Sequence, residues 1–181
     1  RDQSSFTEIV RRHTPMVMAP AWRFLQSRED AEDAYQATFL ALARAVSRIH
    51  KKGAISCWLH TTAIRSAKDV RRSSVRQATK VGIMKERISV SQVKSTDNSS
   101  PSDRIANEEL ATILDEEILR LSVKSQTVIV LCDLEGLTQM QAAKELGVAQ
   151  STIKERLSNA RKELRNRMVR RGVKFTVGGL V

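Results

Sequence analysis

Residues 137–164 constrain this chain most, because their pattern predicts two helices that meet at a sharp corner. Apolar residues recur at helical spacing before Gly147, which can end a helix in the left-handed conformation that glycine tolerates. The spacing resumes after Ala149, and the small side chain of Ala143 would let the two helices cross closely. The positions predicted to pack are Leu137, Met140, Ala143, Leu146, Ile153, Leu157, Ala160 and Leu164. This pattern is typical of a helix-turn-helix.

The charge of this segment favours a nucleic-acid partner. Nine Lys or Arg residues against three Glu residues lie between positions 144 and 171, and the whole chain has a net charge of +11. Basic side chains neutralise phosphates, and the outward face of a second helix can read bases. A purely structural hairpin is the alternative. Membrane binding is not expected, because no apolar run reaches the roughly 18 residues that span a bilayer.

Catalysis, metal binding and secretion find little support in the sequence. Cys57 and Cys132 form no CxxC pair, which indicates a reducing compartment and two core positions. Cys57 and His60 have a ligand-like spacing, but no second pair follows, so neither a metal nor another cofactor is expected. Tyr35 lacks the Arg and His cluster of a recombinase. We therefore predict a protein that is not an enzyme and, since no leader pattern is visible at the start, a cytoplasmic one.

Three helices are predicted in the first half of the chain. The first covers residues 6–25 and is expected to kink or break at Pro20. Ser27 resembles an N-cap for a second helix that runs to about Val46, and this helix begins with acidic residues. Its predicted inner face is Ala34, Ala37, Phe39, Leu40 and Ala41. After a turn around Gly53, a third helix starts near Cys57 and continues into the region of residues 71–72, with one basic side.

The second half is predicted to form a separate helical unit. Residues 75–106 are polar and rich in Ser, which favours a flexible linker. Beyond them a helix should pack through the stripe Leu110, Ile113, Leu114, Glu117 and Ile118. A further helix from Ser122 to Asp133 should end near Gly136 and bury Val128, Ile129, Leu131 and Cys132. The fold class is therefore all-α, with two small helical domains at residues 1–74 and 107–171 and a tail at residues 172–181.

Two segments carry a resemblance to a known family. DAEDAYQATFLALARAV begins at Asp30, and GLTQMQAAKELGVAQSTIKERLSNARKEL begins at Gly136. In this combination the chain resembles an extracytoplasmic-function (ECF, group 4) RNA polymerase sigma factor of the sigma-70 family over nearly its whole length. The resemblance implies that residues 1–74 are region 2 and residues 107–171 are region 4.

The resemblance also implies roles for residues of region 2. The acidic helix would bind the clamp helices of core RNA polymerase through Asp30, Glu32, Asp33, Gln36 and Phe39. The following loop, around residues 49–55, would capture a base flipped from the non-template strand, and the third helix would face the −10 promoter element. The residues implied in −10 binding are Ile49, His50, Lys51, Lys52, Trp58, Arg65, Lys68 and Arg72.

Region 4 would read the −35 element in the major groove. The residues implied are Gln150, Ser151, Lys154, Glu155, Arg156, Ser158, Asn159 and Arg161. Arg65 stands where many members of the family have Asn, and Asn159 stands where many have Arg. The implied partners are core RNA polymerase, through its clamp helices and flap, promoter DNA and an anti-sigma factor. The alternative is a helix-turn-helix regulator that binds duplex DNA without polymerase.

Overall fold

The computed structural model describes residues 3–25, 27–45, 49, 52–80 and 101–173, and all regular structure in these ranges is helical. The helices are α1 (Gln3–Phe24), α2 (Arg28–Ala45), α3 (Lys52–Lys80), α4 (Pro101–Ile118), α5 (Val123–Ile129), α6 (Gln139–Leu146) and α7 (Gln150–Arg170). A π-helical turn, Val130–Leu134, follows α5. The all-α prediction is confirmed for the described part of the chain.

The contacts divide the chain into two compact units. The first comprises Arg1–Arg48 and Trp58–Ile105, and the second comprises Ile49–Cys57 and Ala106–Val181. The predicted fold of two small helical domains is confirmed. Each unit is described separately below.

The predicted break at Pro20 is wrong. Helix α1 continues through both of its prolines to Phe24. A proline inside a helix removes one backbone hydrogen bond and costs about 3 kcal/mol. Pro20 is itself buried, beside the buried residues Val17 and Ala21. Burial of this face opposes the cost of the lost hydrogen bond, which the local sequence alone does not indicate.

Helix α2 begins after Ser27, as predicted, and the Ser27 side chain accepts from the backbone N–H of Asp30 at 3.4 Å. The predicted inner face is wrong in part. Ala37 and Leu40 are exposed and Ala41 is half-buried. The buried residues are Ala31, Ala34, Thr38, Phe39 and Leu42.

Thr38 explains this rotation of the buried face. Its hydroxyl donates to the backbone carbonyl of Ala34 at 2.7 Å, so a polar residue is satisfied inside the core. Because Thr38 packs inward, the buried face of α2 is rotated relative to the face that its alanines and leucines predict. Thr38 thus lies inside, and Leu40 lies on the opposite side.

Helix α3 is longer at both ends than the sequence predicted. It begins at Lys52 rather than near Cys57, so Gly53 lies within a helix instead of a turn, and it ends at Lys80. Residues 75–80 and 101–106, assigned to the linker by composition, belong to α3 and α4. The stretch before Lys80 contains neither glycine nor proline, and Pro101 occupies a first helical position that proline tolerates. Residues 81–100 of the predicted linker lie outside the described residues.

The second unit is built around a core of branched apolar side chains. Ile118, Val128, Ile129, Leu131, Ile153 and Leu157 are buried together with three alanines of α6 and α7. The predicted stripe on α4 is confirmed at its C-terminal end, where Glu117 and Ile118 are both buried and Leu114 packs against the core. It is wrong at Leu110, which is 38% exposed. The core therefore brings α4, α5 and the helix-turn-helix into one bundle.

The helix predicted at residues 122–133 is present, but it changes form partway. Ser122 caps α5, and after Ile129 the chain widens into the π-helical turn, in which Glu135 N–H donates to Val130 carbonyl at 2.9 Å. Gly136 follows with φ 71°, in the left-handed conformation. Cys132 was predicted to be buried in the core, but it is only half-buried.

The helix-turn-helix is confirmed in α6 and α7. Thr138 and Gln141 form a reciprocal capping box at the start of α6, and Gly147 ends it with φ 65°. Ala142 and Ala143 pack inward, whereas Met140 is 67% exposed, contrary to prediction. Because α6 buries two adjacent small residues, Met140 is turned toward solvent. Residues 174–181, most of the predicted tail, lie outside the described residues.

Candidate nucleic-acid interface

Helix α2 presents an acidic surface at its N-terminal half. Glu32, Asp33 and Gln36 are exposed, and Asp30 is half-buried. Arg28 pairs with Glu32 at 2.7 Å along the same helix. Asp30 accepts from the hydroxyl of Ser74 at 3.3 Å, which ties α2 to α3. Four of the five predicted docking residues thus lie at the surface of one helix.

The fifth predicted residue, Phe39, is placed differently. It is only 7% exposed, and its ring packs edge-on against Tyr35 with centroids 5.0 Å apart. Tyr35 in turn lies 3.1 Å from the hydroxyl of Thr14 on α1. Leu40, the next residue, is 59% exposed. Phe39 therefore belongs to the contact between α1 and α2, and Leu40 is the apolar residue beside the acidic surface.

Helix α3 carries a basic face. Arg65 and Arg72 are exposed, and the amino group of Lys68 lies 5.2 Å from the centre of the Phe24 ring. Arg72 also pairs with Asp69 at 3.3 Å. An aromatic face attracts a cation, so Phe24 fixes the position of Lys68 while its charge stays near the surface.

The remaining residues predicted for −10 binding are only partly described. Trp58 and Ile49 are half-buried. Lys52 lies in the first turn of α3, but its side chain is outside the described part of the structure. His50 and Lys51 lie outside the described residues altogether.

Helix α7 has one buried face and one polar exposed face. Ile153, Leu157 and Ala160 are buried against the core of the second unit. The predicted −35 residues, apart from Arg156, which is half-buried, are exposed: Gln150, Ser151, Lys154, Glu155, Ser158, Asn159 and Arg161. A helix that follows a glycine corner and exposes such a face can enter a major groove.

Arg161 differs from the other predicted reading residues because it has a carboxylate partner. Its Nε donates to Asp133 Oδ2 at 3.2 Å, and its second terminal nitrogen donates to Oδ1 at 2.5 Å. The hydrogen bond with Asp133 raises the pKa of Arg161. Burial, followed by the charge of Asp133, raises the pKa of the neighbouring Cys132 thiol. The end of the π-helical turn and α7 are thus joined by a two-pronged ion pair.

A second ion cluster fixes the far end of α7. Glu117 is 2% exposed and lies 2.9 Å from Arg120, 3.5 Å from Arg171 and 3.9 Å from Arg167. Arg171 also pairs with Glu116 at 2.9 Å. These cations neutralise a carboxylate that would be costly to bury alone. Part of the positive charge of this helix therefore neutralises carboxylates of the protein itself.

Sequence reasoning missed Asp133, Leu40 and Arg76. Asp133 follows an apolar run, and its partner is 28 positions away, so local spacing gives no signal of the pair. Arg76 is exposed four residues after Arg72, which places it on the same side of α3. Arg76 was missed because the predicted third helix ended near residue 72, whereas α3 continues to Lys80.

Two family models match the chain. Sigma-70 region 2 matches residues 9–77, and Sigma-70 region 4 matches residues 111–164. Together they cover the acidic helix, the basic helix and the helix-turn-helix. The two matches and the all-α fold define a sigma factor of the sigma-70 type.

Similarity to individual proteins narrows the class. The chain is 27% identical to the ECF RNA polymerase sigma factor SigM of Mycobacterium tuberculosis (strain H37Rv) over 90% of its own length and 76% of that protein. It is 25% identical to the ECF RNA polymerase sigma-E factor of Haemophilus influenzae, covering 92% of this chain and 89% of that one. The chain belongs to the ECF sigma factors of the sigma-70 family. It is a DNA-binding transcription factor that directs core RNA polymerase to promoters.

Among solved structures, the sigma factor RpoE in complex with the anti-sigma factor NepR from Bartonella quintana is similar to this chain. The identity is 20% and the TM-score 0.44, over 91% of this chain and 97% of that one. In the part of the chain that the structure describes, no helix has the length and apolar character needed to cross a bilayer.

Proposed function

We propose that three helices divide the work of promoter recognition. Helix α2 docks on core polymerase, α3 holds the −10 element, and α7 reads the −35 element. The observation that supports this most is that α7 exposes seven of its eight predicted −35 residues, whereas Ile153, Leu157 and Ala160 of the same helix are buried. An ordered surface of this kind is available to a partner without local unfolding.

The polymerase-docking surface consists of Asp30, Glu32, Asp33, Gln36 and Leu40. Glu32, Asp33 and Gln36 follow one another along the exposed side of α2, and Leu40 continues that line one turn further. Carboxylates steer a basic partner surface, and an exposed leucine gains affinity when the partner covers it. Phe39 supports this surface from inside the fold.

The −10 surface consists of the basic side of α3, together with the residues that precede it. Arg65 and Arg72 lie seven residues apart, so they share one side of the helix, where cations can follow a strand of phosphates. Lys68, seated on Phe24, adds a positioned charge. Residues 49–55, with Trp58, would hold a base extruded from the non-template strand, since an unstacked base can be read on its edges.

The −35 surface is the exposed side of α7. The residues that would face the DNA are Lys154, Glu155, Ser158, Asn159 and Arg161, with Gln150, Ser151 and Arg156 near the phosphates. Because both DNA-binding surfaces belong to one chain, contact with one element raises the effective concentration of the other surface near its site. The proposed domain limits are 1–74 for region 2 and 107–171 for region 4.

The proposed mechanism requires no bond-making chemistry from this chain. Nucleotide transfer belongs to the core enzyme, and the sigma factor supplies docking, sequence recognition and capture of the opened strand. The place of action would be the cytoplasm, where the polymerase meets DNA.

The test is reconstitution with core polymerase on promoter fragments selected from a randomised library. Footprints at both elements and run-off transcripts are expected only when the chain and core are combined. A chain that never joins core, yet binds duplex DNA tightly alone, would instead be a helix-turn-helix regulator.

Two neighbouring variants test the docking surface. Leu40→Ala should weaken core binding about tenfold without lowering the melting temperature, because an exposed contact is lost. Phe39→Ala should lower the free energy of unfolding by roughly 3 kcal/mol, because a buried ring is removed. Unchanged core affinity in a folded Leu40→Ala protein would remove Leu40 from the surface.

A further inference from the structure

Arg161 and Asp133 form a geometry that the general basic character of α7 does not account for. The Nε and one terminal nitrogen of Arg161 both donate to the Asp133 carboxylate. This is a side-on fork, in which two parallel N–H groups meet two oxygens. The guanidinium plane is therefore fixed, unlike that of an arginine that extends into solvent.

The fork leaves part of the guanidinium for another partner. Arginine has five N–H donors, of which the fork uses two. The remaining donors include the pair at the end of the guanidinium, one on each terminal nitrogen, which again point in parallel. The Arg161 side chain is 57% exposed, so a large molecule can approach it. A group that presents two acceptor atoms side by side matches that edge.

The position of Arg161 places this edge on the side of α7 that carries Lys154. The two residues are seven positions apart, which is close to two helical turns and about 10 Å along the axis. A duplex that meets Lys154 in the groove would therefore pass close to Arg161. Two DNA groups offer paired acceptors: the oxygens of a backbone phosphate and the N7 and O6 atoms of guanine.

Asp133 reaches α7 from an unusual piece of backbone. The turn Val130–Leu134 contains the i to i+5 hydrogen bond from Glu135 to Val130, which widens the helix and changes the direction of the residues in it. π-Helical turns are found often at functional sites. Here the turn ends with a carboxylate held against the DNA-facing helix.

We propose that Asp133 is a positioning residue that orients Arg161 to clamp a two-pronged acceptor of the −35 DNA. The proposal rests on the function proposed above and identifies a residue that acts without touching DNA. Fixing the side chain in advance reduces the entropy lost on binding. Asp133 thus improves DNA binding although it is itself negatively charged.

If Asp133 positions Arg161, removing its charge should change DNA affinity in the direction opposite to that expected from charge alone. Asp133→Asn removes one negative charge near DNA, and charge alone would then raise affinity. Loss of the oriented fork should instead weaken binding of the −35 element about fivefold in the holoenzyme, measured by filter binding at fixed salt. Glu109→Gln is the matched control, because it removes one charge from an exposed position on α4. It should leave affinity unchanged or slightly higher.

Two more variants separate orientation from charge and from folding. Arg161→Lys keeps the cation but cannot form the fork, and it should lose about as much affinity as Asp133→Asn. Adding Asp133→Asn to Arg161→Ala should cost nothing further, because the two residues act as one unit. Equal or tighter binding by Asp133→Asn, or wild-type affinity in Arg161→Ala, would overturn the proposal.

Modified DNA distinguishes the two acceptors. Neutral methylphosphonate at one backbone position should abolish the difference between wild type and Arg161→Ala if the acceptor is a phosphate. Replacement of one guanine by 7-deazaguanine should abolish it if the acceptor is a base. Persistence of the difference at every position would contradict a direct clamp. Absence of −35 protection by the wild-type holoenzyme would overturn the proposed function too, whereas normal protection with an unaffected Asp133→Asn variant would overturn only this inference.

Discussion

Helices α2 and α7 both present charged surfaces, but their charges are held in different ways. On α2 the pair between Arg28 and Glu32 lies within one helix at the surface. Arg161 on α7 and Arg171, directly after it, pair with carboxylates of the π-helical turn and of α4. Arg167 pairs with Glu163 of its own helix at 2.8 Å and lies 3.9 Å from Glu117 of α4. Helix α7 is thus oriented by ion pairs as well as by its apolar face.

The difference suggests what each surface must do. A docking surface on α2 meets a protein partner whose own side chains can adjust, so local charge pairs suffice. A helix in the major groove must bring several side chains to fixed base edges, and a small rotation would misplace all of them. The ion pairs between α7 and other elements resist such a rotation. One is made by Arg161 in the second half of the helix, and the others lie at its C-terminal end.

The largest expected effect comes from removing the anchor of α7. Glu117→Ala should lower the free energy of unfolding by about 3 kcal/mol, because it removes most of a buried side chain and also ends the ion pairs with Arg120, Arg167 and Arg171. Urea denaturation of the full chain measures this. Glu108→Ala, at an exposed position of the same helix, should change it by less than about 0.5 kcal/mol. Equal stability of the two variants would show that α7 is held by its apolar face alone.

Charge reversal on α2 should act on binding rather than on folding. Asp33→Arg is expected to weaken core polymerase binding about thirtyfold, because a steering carboxylate becomes a like charge to a basic partner. Binding of the isolated chain to DNA should not fall. Glu8→Arg on α1 makes the same change of charge at another exposed site. If both reversals weaken core binding equally, the effect is one of net charge and α2 is not the docking helix.

A cation on α7 that faces solvent should contribute to DNA affinity directly. Lys154→Ala should weaken −35 binding about fivefold and reduce the slope of log affinity against log salt by about 0.9. Lys124, exposed on α5, provides a control lysine on another helix of the same unit. A footprint over the −35 element that ignores Lys154→Ala but responds to Lys124→Ala would reassign the DNA-binding surface.

The smallest effect is expected at the corner before α7. Gly147→Ala should destabilise the chain by about 1 kcal/mol, because an L side chain is strained at φ 65°. Nothing lies within 4 Å of the added carbon, so the cost is conformational rather than steric. Thermal unfolding measures it. An unchanged melting temperature would indicate that the corner relaxes to another backbone conformation.

The sequence predicted the parts of the fold that depend on local rules. Gly147 indicated the corner, Ser27 the start of α2, and the apolar stripe of α4 correctly included Glu117. Each of these signals is contained within a few turns of one helix. The resemblance to sigma factors then supplied a family that the two matching models confirm.

The errors arose where tertiary contacts decide the outcome. Thr38 is buried because its hydroxyl is bonded to the backbone, so the predicted face of α2 was rotated and Leu40 was placed inside. Pro20 is accommodated by burial, and the partner of Arg161 is far away in sequence. The roles of the individual contact residues stay predictions, because they depend on polymerase and DNA.

The buried carboxylate at position 117 has a consequence for how the chain can diverge. Losing the arginines at 120 and 171 would leave a buried acid with fewer cations beside it, and a neutral residue at 117 would end the ion pairs that these arginines make. Substitution of the acid alone, or of the arginines alone, would therefore give a less stable protein. These positions should therefore be inherited together or exchanged together, and a library that randomises all three at once should recover matched sets far more often than mixed ones.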